Sequence, residues 1–295
     1  MVPIFEEIHI ENTNSCGYKC SMCPRESHTR QIGFMSLQDF SFLLERIGPV
    51  PSIGPYQGLF HLHGFGEPLL DRSLIQKIEV LKKQYPSSLS LIFSTLGVKV
   101  KDDYFEKLLQ AGLSTVIISL YGFTEQDYKK IHGYDGLECV KKNLLLLSEA
   151  MKLFPNPFRA TIKIPAQSIT SSLPVAEPPE KQDFCIWAKG LGFNLAEWGY
   201  VHNYSSGRNY NMPNTERMCP VINGKRKNIL NITWDLNVIP CCYDFNATIR
   251  FGNLRQHTLE QIFSSPEYLA FVTAHKLGDL SAYPICQNCE KSDYT

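Results

Sequence analysis

Three cysteines fall within eight residues near the start of the chain, in the run Cys16-Gly17-Tyr18-Lys19-Cys20-Ser21-Met22-Cys23-Pro24. Thiolates this close make a soft-ligand loop, and two chemistries compete for it. An iron-sulfur cube wants one thiolate per iron, so a loop of three would leave one iron open to bind something else. A structural zinc wants four ligands, and His28 shortly after Cys23 would complete a Cys3His set. A second group follows far along the chain, Cys219, Cys241, Cys242, Cys286 and Cys289, while Cys139 and Cys185 stand alone. Four thiolates at that second spacing suit either a zinc ribbon or a closed cluster.

The elements that must hold these groups follow from periodicity. IFEEIHIE, residues 4–11, alternates as a strand and runs directly into the first cysteine loop. Ser36 then caps a helix bearing Leu37, Phe40, Leu44 and Ile47, and a second strand, 58–63, ends at Gly64-Phe65-Gly66-Glu67-Pro68. Asp71 is expected to cap the next helix, with Leu74, Ile78 and Leu81. Further strands are expected at 89–94, 115–120, 160–164 and 194–200, with helices at 103–111, 124–131, 137–149 and 184–189 between them and a Pro-rich loop at 172–181. Six β/α units in series imply a parallel sheet, open or curled into part of a barrel. The polar and glycine-rich oddities fall just beyond the strand ends: the cysteine loop, GFGEP, Ser94-Thr95, Ser119 and the stretch 200–208. That rim is where β/α folds bind ligands, which weighs against an isolated zinc finger in the first loop.

Composition narrows the partners. At 295 residues the chain can bury a full core without metals, and its 29 basic residues equal its 29 acidic ones. No electrostatic footprint for nucleic acid or an anionic membrane is visible. The opening MVPIFEEIHI is too short and acidic for a signal peptide, and no run reaches the length of a membrane span. A cytoplasmic location is expected, in which ten cysteines read as ligands or free thiols instead of disulfides.

The CxxxCxxC loop resembles that of the radical S-adenosylmethionine (SAM) enzymes, and the resemblance extends over essentially the whole chain. It implies an α/β fold, a partial (β/α)6 TIM-like barrel over residues 1–205, followed by a small β-hairpin and helix auxiliary-cluster domain over 206–295. It implies that Cys16, Cys20 and Cys23 hold a 4Fe-4S cluster and that SAM chelates the open iron. Gly66 and Glu67 match the family's GGEP element, which receives the methionyl amino group, with Phe65 interrupting the glycine pair. Ser119 matches the strand-end serine that meets the ribose, and Met22 takes the place of a residue that packs on adenine. Leu96 stands where relatives carry asparagine, and Ile131-His132-Gly133 where they carry arginine before glycine. Beyond residue 210 the pattern resembles the SPASM/twitch extension, which implies an auxiliary 4Fe-4S cluster on Cys219, Cys241, Cys286 and Cys289, with Cys242 spare and Leu236 in place of a glycine. A zinc ribbon remains the competing reading of those four thiolates.

The function that this resemblance implies is reductive cleavage of SAM, hydrogen abstraction from substrate and a two-electron oxidation, with a closed auxiliary cluster taking the second electron. The substrate is expected to be a small polyol or aminocyclitol, as in the twitch-type inosamine dehydrogenases, or a peptide side chain. The early start of the barrel leaves no room for a leader-binding domain and tilts the reading to the small molecule. Arg208 is a candidate to orient it. A reduced flavodoxin or ferredoxin is the expected electron donor. Two alternatives stand: a redox-neutral epimerase or peptide maturase using a thiol such as Cys139 or Cys185 as hydrogen donor, and a non-enzymatic zinc-binding module.

Overall fold

The computed structural model describes residues 3–50, 52–53, 56–154, 158–165, 179–198 and 228–287, together with Tyr204, Cys219, Ile222 and Cys289. Strands and helices alternate in the order β1 (Glu7–Ile10), α1 (Leu37–Ile47), a small ribbon of β2 (Ser52–Ile53) and β3 (Tyr56–Gln57), β4 (Leu59–His61), α2 (Leu74–Gln84), β5 (Leu89–Ser94), α3 (Tyr104–Gln110) and β6 (Thr115–Ser119). They continue as α4 (Glu125–His132), α5 (Leu137–Leu153), β7 (Arg159–Pro165), α6 (Pro179–Gly190) and β8 (Asn194–Trp198). Strands β1, β4, β5, β6, β7 and β8 are neighbours in that order and all pair in parallel, the arrangement of a partial barrel. Of the expected loop at 172–181, residues 172–178 lie outside the described residues and 179–181 open α6.

Because side chains alternate along a strand, register decides what each face of the sheet carries. Ile8, Ile10, Phe60, Ile92, Val116, Ile118 and Ile162 point to the helices and are buried. The opposite face carries Glu7 and His9 of β1, His61 of β4, and Lys163 of β7, aligned by the pairs His9↔His61 and Ser119↔Lys163. The core is therefore on the helical side, and the concave side mixes these polar residues with Leu91, Phe93 and Ile117.

The C-terminal segment adds β9 (Ile229–Ile232), β10 (Asn237–Ile239), β11 (Gly252–Asn253), α7 (Leu259–Phe263), α8 (Pro266–Leu277) and α9 (Pro284–Gln287). Sequence periodicity separates this hairpin from the barrel; the structure joins them. Strand β9 pairs in parallel with the free edge of β1, so one nine-stranded sheet runs β11-β10-β9-β1-β4-β5-β6-β7-β8. That pairing satisfies a row of backbone groups that β1 would otherwise present as an open edge. The 205/206 boundary lies outside the described residues.

Local chemistry explains most helix starts. Ser36 and Thr124 accept from Asp39 N and Asp127 N, each at 3.0 Å, and so cap α1 and α4. At α2 the expected cap shifts: Ser73 is the N-cap residue, and Asp71 instead accepts from Ser73 N at 2.9 Å and pairs with Lys77 Nζ at 2.6 Å. Lys77 is wholly buried and also donates to Met35 O at 2.6 Å, which ties α2 to the segment between the cysteine loop and α1. Replacing Asp71 by Ala leaves that ammonium buried without its carboxylate. The expected cost is about 3–5 kcal/mol of unfolding free energy, read by urea titration, whereas Lys77→Met in the Asp71→Ala background is expected to recover much of it.

Candidate functional site

The first cysteine loop is pinned at both ends before it reaches any metal. Asn14 Oδ1 accepts from Gly33 N at 2.8 Å, Asn14 Nδ2 donates to Gln31 O at 2.8 Å, and Thr13 bridges to Phe34. Its middle rests on the last turn of α4, where Lys19 N and Ser21 N donate to His132 O and Ile131 O at 3.1 and 2.8 Å. Gly133 closes that helix in the left-handed region, and a Cβ there would lie 2.7 Å from Lys19 O.

These clamps bring Cys16, Cys20 and Cys23 together as half-buried thiols. Burial pushes the Cys20 thiol up, and the charges of Cys23 and Cys16 push it further. Burial likewise raises Cys16, against a hydrogen bond from the Tyr18 backbone. Three thiolates that repel one another in a partly desolvated loop are held in that state by a positive centre among them, so the donor set fits a metal cluster. His28 is turned elsewhere: its Nε2 accepts from Asn14 Nδ2 at 3.3 Å, and its ring stacks on Phe65 at 5.1 Å. Burial, with Arg30 and Arg25 nearby, holds its pKa down to about 4. The Cys3His zinc set is not what this geometry assembles.

GFGEP lies against the start of the same loop. A Cβ at Gly66 would come within 2.4 Å of Thr13 O and 2.6 Å of Ser15 O, while Glu67 N donates to Ser15 O at 2.8 Å. Glycine is needed here for backbone to lie on backbone. Phe65, the residue that departs from the family's glycine, stacks between His28 and Phe245, the latter at 4.8 Å, with the Arg25 guanidinium 4.8 Å above it. The Glu67 carboxylate takes four donors: Ser94 Oγ (2.6 Å) and Leu69 N (3.2 Å) on Oε1, Thr95 N and Thr95 Oγ1 (both 2.9 Å) on Oε2. Burial pushes its pKa up while those donors pull it back. In this structure it braces β4 to β5, and a contact to an ammonium requires it to exchange one of those partners.

Met22 is buried against Tyr121 beside Cys20 and Ile131, and the Tyr121 hydroxyl is hydrogen-bonded to Ser119 at the end of β6. Loop, GFGEP and Ser119 therefore share the C-terminal rim. Arg208 lies outside the described residues.

The second constellation also converges. Cys219, Cys241, Cys286 and Cys289 line one cavity of about 290 Å³ with Asp244 and Phe271. Burial, then Cys219, Cys289 and Asp244, push Cys286 up to about 12. Burial raises Cys241 well above its usual range, with Cys242, Cys219 and Cys289 adding to it. Cys242 is exposed, next to this set. Cys139 in α5 accepts weakly from Asn143 Nδ2 at 3.9 Å, and Cys185 belongs to α6.

Four further residues belong to the site, with partners that the sequence does not disclose. Glu11 and Arg30 form a buried bidentate pair with Nη1–Oε1 and Nη2–Oε2 distances of 2.7 and 2.8 Å. His132 contacts Cys20, with Nδ1 3.3 Å from Sγ. Burial raises the Tyr204 hydroxyl well above its usual range, with Cys23, Tyr121, Cys242 and Cys20 adding to it, and its ring meets Tyr243 at 5.6 Å. Three of them left a trace: Glu11 as the charged end of the first strand, His132 as the residue where relatives carry arginine, and Tyr204 as part of the polar stretch 200–208.

Two glycines of this region, Gly66 and Gly17, give a paired test. Gly66→Ala places its Cβ against backbone and is expected to cost about 1–3 kcal/mol in urea unfolding and to loosen the first loop. Gly17, between the cysteines, has nothing within 4 Å of an added Cβ, so Gly17→Ala is expected to leave stability unchanged.

Comparison with known proteins agrees with this geometry. The radical SAM superfamily model matches residues 10–156, and the SPASM model, an iron-sulfur cluster-binding domain, matches residues 222–290. A tungsten-containing aldehyde ferredoxin oxidoreductase cofactor-modifying protein of Pyrococcus furiosus is 23% identical over 97% of this chain and 87% of its own length. An S-adenosyl-L-methionine-dependent 2-deoxy-scyllo-inosamine dehydrogenase of Niallia circulans is 20% identical over 98% of this chain and 94% of its own. The crystal structure of BtrN in complex with AdoMet and 2-DOIA superposes with a TM-score of 0.61 at 18% identity, covering 98% of this chain and 94% of that one. No helix among the described residues is long and apolar enough to cross a membrane. With a three-cysteine loop at the rim of a partial barrel and a four-cysteine cavity beyond it, the chain belongs to the radical SAM superfamily, as an enzyme that uses a 4Fe-4S cluster, SAM and an auxiliary iron-sulfur cluster in a SPASM-type domain.

Proposed function

We propose that Cys16, Cys20 and Cys23 hold the SAM-binding cluster, that Cys219, Cys241, Cys286 and Cys289 close the auxiliary one, and that the enzyme dehydrogenates a small, polar, hydroxyl- or amine-bearing molecule. When bound, the cofactors supply a hydrogen-abstracting 5′-deoxyadenosyl radical and a one-electron acceptor. The observation that carries the reading is the second cavity: its four cysteines suit a cluster with no site left for substrate, which makes it an electron acceptor. The name of the Niallia circulans relative supports the same reaction class.

The concave face of the barrel supports a polar substrate. Glu7 Oε2 lies 3.3 Å from His9 Nε2 and 3.5 Å from His61 Nε2, and the two imidazoles stack at 4.0 Å. Lys163 Nζ sits 5.0 Å from the Phe93 ring, which meets His63 at 4.6 Å. A two-electron oxidation releases a proton from substrate, and Glu7 with its two imidazoles is the group on this wall to receive it. Gly66, Glu67, Ser119 and Met22 line the SAM side of the rim, and Arg208 would act on the substrate side. Reducing equivalents enter from a flavodoxin or ferredoxin in the cytoplasm.

The name of the Pyrococcus furiosus relative favours a second reading, in which the substrate is the precursor of an organic cofactor. Anaerobic turnover separates the two by product. A small polyol or aminocyclitol product two mass units lighter, formed with 5′-deoxyadenosine, supports the first; turnover only with a cofactor precursor supports the second.

Metal analysis tests the ligand sets. The wild type is expected to hold about eight irons per chain, and Ala at Cys16, Cys20 or Cys23 about four, with loss of SAM cleavage. Ala at Cys286 or Cys289 is expected to lose the other four. Bound zinc without iron would overturn the assignment. Glu7→Gln is expected to keep 5′-deoxyadenosine formation while cutting product by about 10²-fold or more.

A further inference from the structure

We infer that His132 is a positioning residue that donates Nδ1–H to the Cys20 sulfur and thereby raises the reduction potential of the cluster that Cys20 ligates; this rests on the ligand assignment above. Two contacts on one ring carry the inference. Nε2 of His132 lies 3.2 Å from Tyr121 N, and a backbone N–H only donates, so Nε2 must present its lone pair. The proton of the neutral ring is then on Nδ1, which faces Cys20 Sγ at 3.3 Å. The tautomer is dictated by the backbone of the strand β6 exit, on the side of the ring away from the cluster.

The ring cannot turn away from this contact. It is fully buried, stacked on Tyr128 at 4.2 Å and parallel to Tyr121 at 5.6 Å with 10° between planes. The residue's own carbonyl holds Lys19 N, one position before Cys20, so donor and acceptor move as one body. With the ring wholly enclosed, solvent does not compete for Nδ1–H.

The consequence follows from charge. One-electron reduction places further negative charge on the cluster and its thiolate sulfurs, and an N–H aimed at one of them stabilises the reduced state more than the oxidised one. Ile131-His132-Gly133 stands where relatives carry arginine before glycine, and in this structure His132 is buried beneath the loop, against Cys20.

The test separates donor from filler by moving one hydrogen bond at a time in the reconstituted, full-length holoenzyme. His132→Asn places an amide N–H near the Nδ1 position and keeps the donor to Cys20. His132→Gln places its amide near the Nε2 position, keeps an acceptor for Tyr121 N and loses the donor. Potentiometric EPR is read on the signal that changes when SAM is added, which identifies the first cluster. The Gln variant is expected to show a more negative midpoint, with the reduced-to-oxidised ratio at fixed potential falling about tenfold, or 59 mV for a one-electron couple. The Asn variant is expected to stay within about twofold of wild type, which is below 59 mV.

Equal potentials in all three proteins overturn the inference, as do equal shifts in both variants accompanied by equal losses of urea stability. Pulsed EPR of the wild type with 15N-histidine gives a readout that needs no variant: a histidine nitrogen coupling to the reduced cluster is expected, and its absence overturns the proposal. The ligand assignment fails separately. If Cys20→Ala retains full iron and the SAM-responsive signal, Cys20 is not a ligand, whatever the potentials show.

Discussion

One buried ion pair holds the two halves of the site in register. Glu11, the first residue past β1, accepts from both Arg30 terminal nitrogens and also from Phe65 N at 3.1 Å and Trp234 N at 3.3 Å. Arg30 in turn donates through Nε to Phe245 O at 2.8 Å. The side chains are 7% and 8% exposed, so two charges are taken almost wholly out of water. Such a pair survives only when its remaining lone pairs and protons are satisfied, and here Phe65 N, Trp234 N and Phe245 O satisfy them. The strand end, the tail of the cysteine loop, GFGEP and the C-terminal hairpin cannot separate without stranding a charge.

The backbone around the pair is cut to fit it. A Cβ at Gly64 would lie 2.4 Å from the Glu11 side chain, and one at Gly33 would lie 2.3 Å from Trp234. Phe65 continues the contact by stacking on Phe245. The parallel pairing of β9 with β1 does the same through main-chain hydrogen bonds. Consequently the rim that carries Cys16, Cys20 and Cys23 and the module that carries Cys241 are parts of one sheet, and Tyr204 sits in the field of thiols from both.

The two leucines that depart from the family pattern both sit in a backbone conformation that leucine rarely adopts. Leu96 and Leu236 have φ of 55° and 70°, the left-handed region that asparagine or glycine enters at little cost. Leucine there costs about 1–2 kcal/mol each. Both side chains are fully buried in the core, and that burial, worth about 1.5–3 kcal/mol per side chain, offsets the strain. Asn143 additionally donates to Leu96 O at 2.6 Å, holding the turn from the α5 side.

Much of this protein was legible one residue at a time, because cysteine spacing and strand alternation are local properties. The spacing of Cys16, Cys20 and Cys23 specified a three-thiolate loop, the period-two runs placed six parallel strands, and Ser36 marked the start of α1. What the chain could not disclose by itself were pairings between segments far apart in sequence, since a side chain's partner is set by three-dimensional packing. Asp71 read as a helix cap and became half of an ion pair with Lys77, and the hydroxyl partners of Glu67, Ser94 and Thr95, lie at the end of another strand. Phe65 read as a mild irregularity and is a stacked joint between loop and hairpin. The joining of β9 to β1, the Glu11–Arg30 pair and the proton on His132 Nδ1 were decided only by the fold, because each depends on a distance between residues that no periodicity encodes.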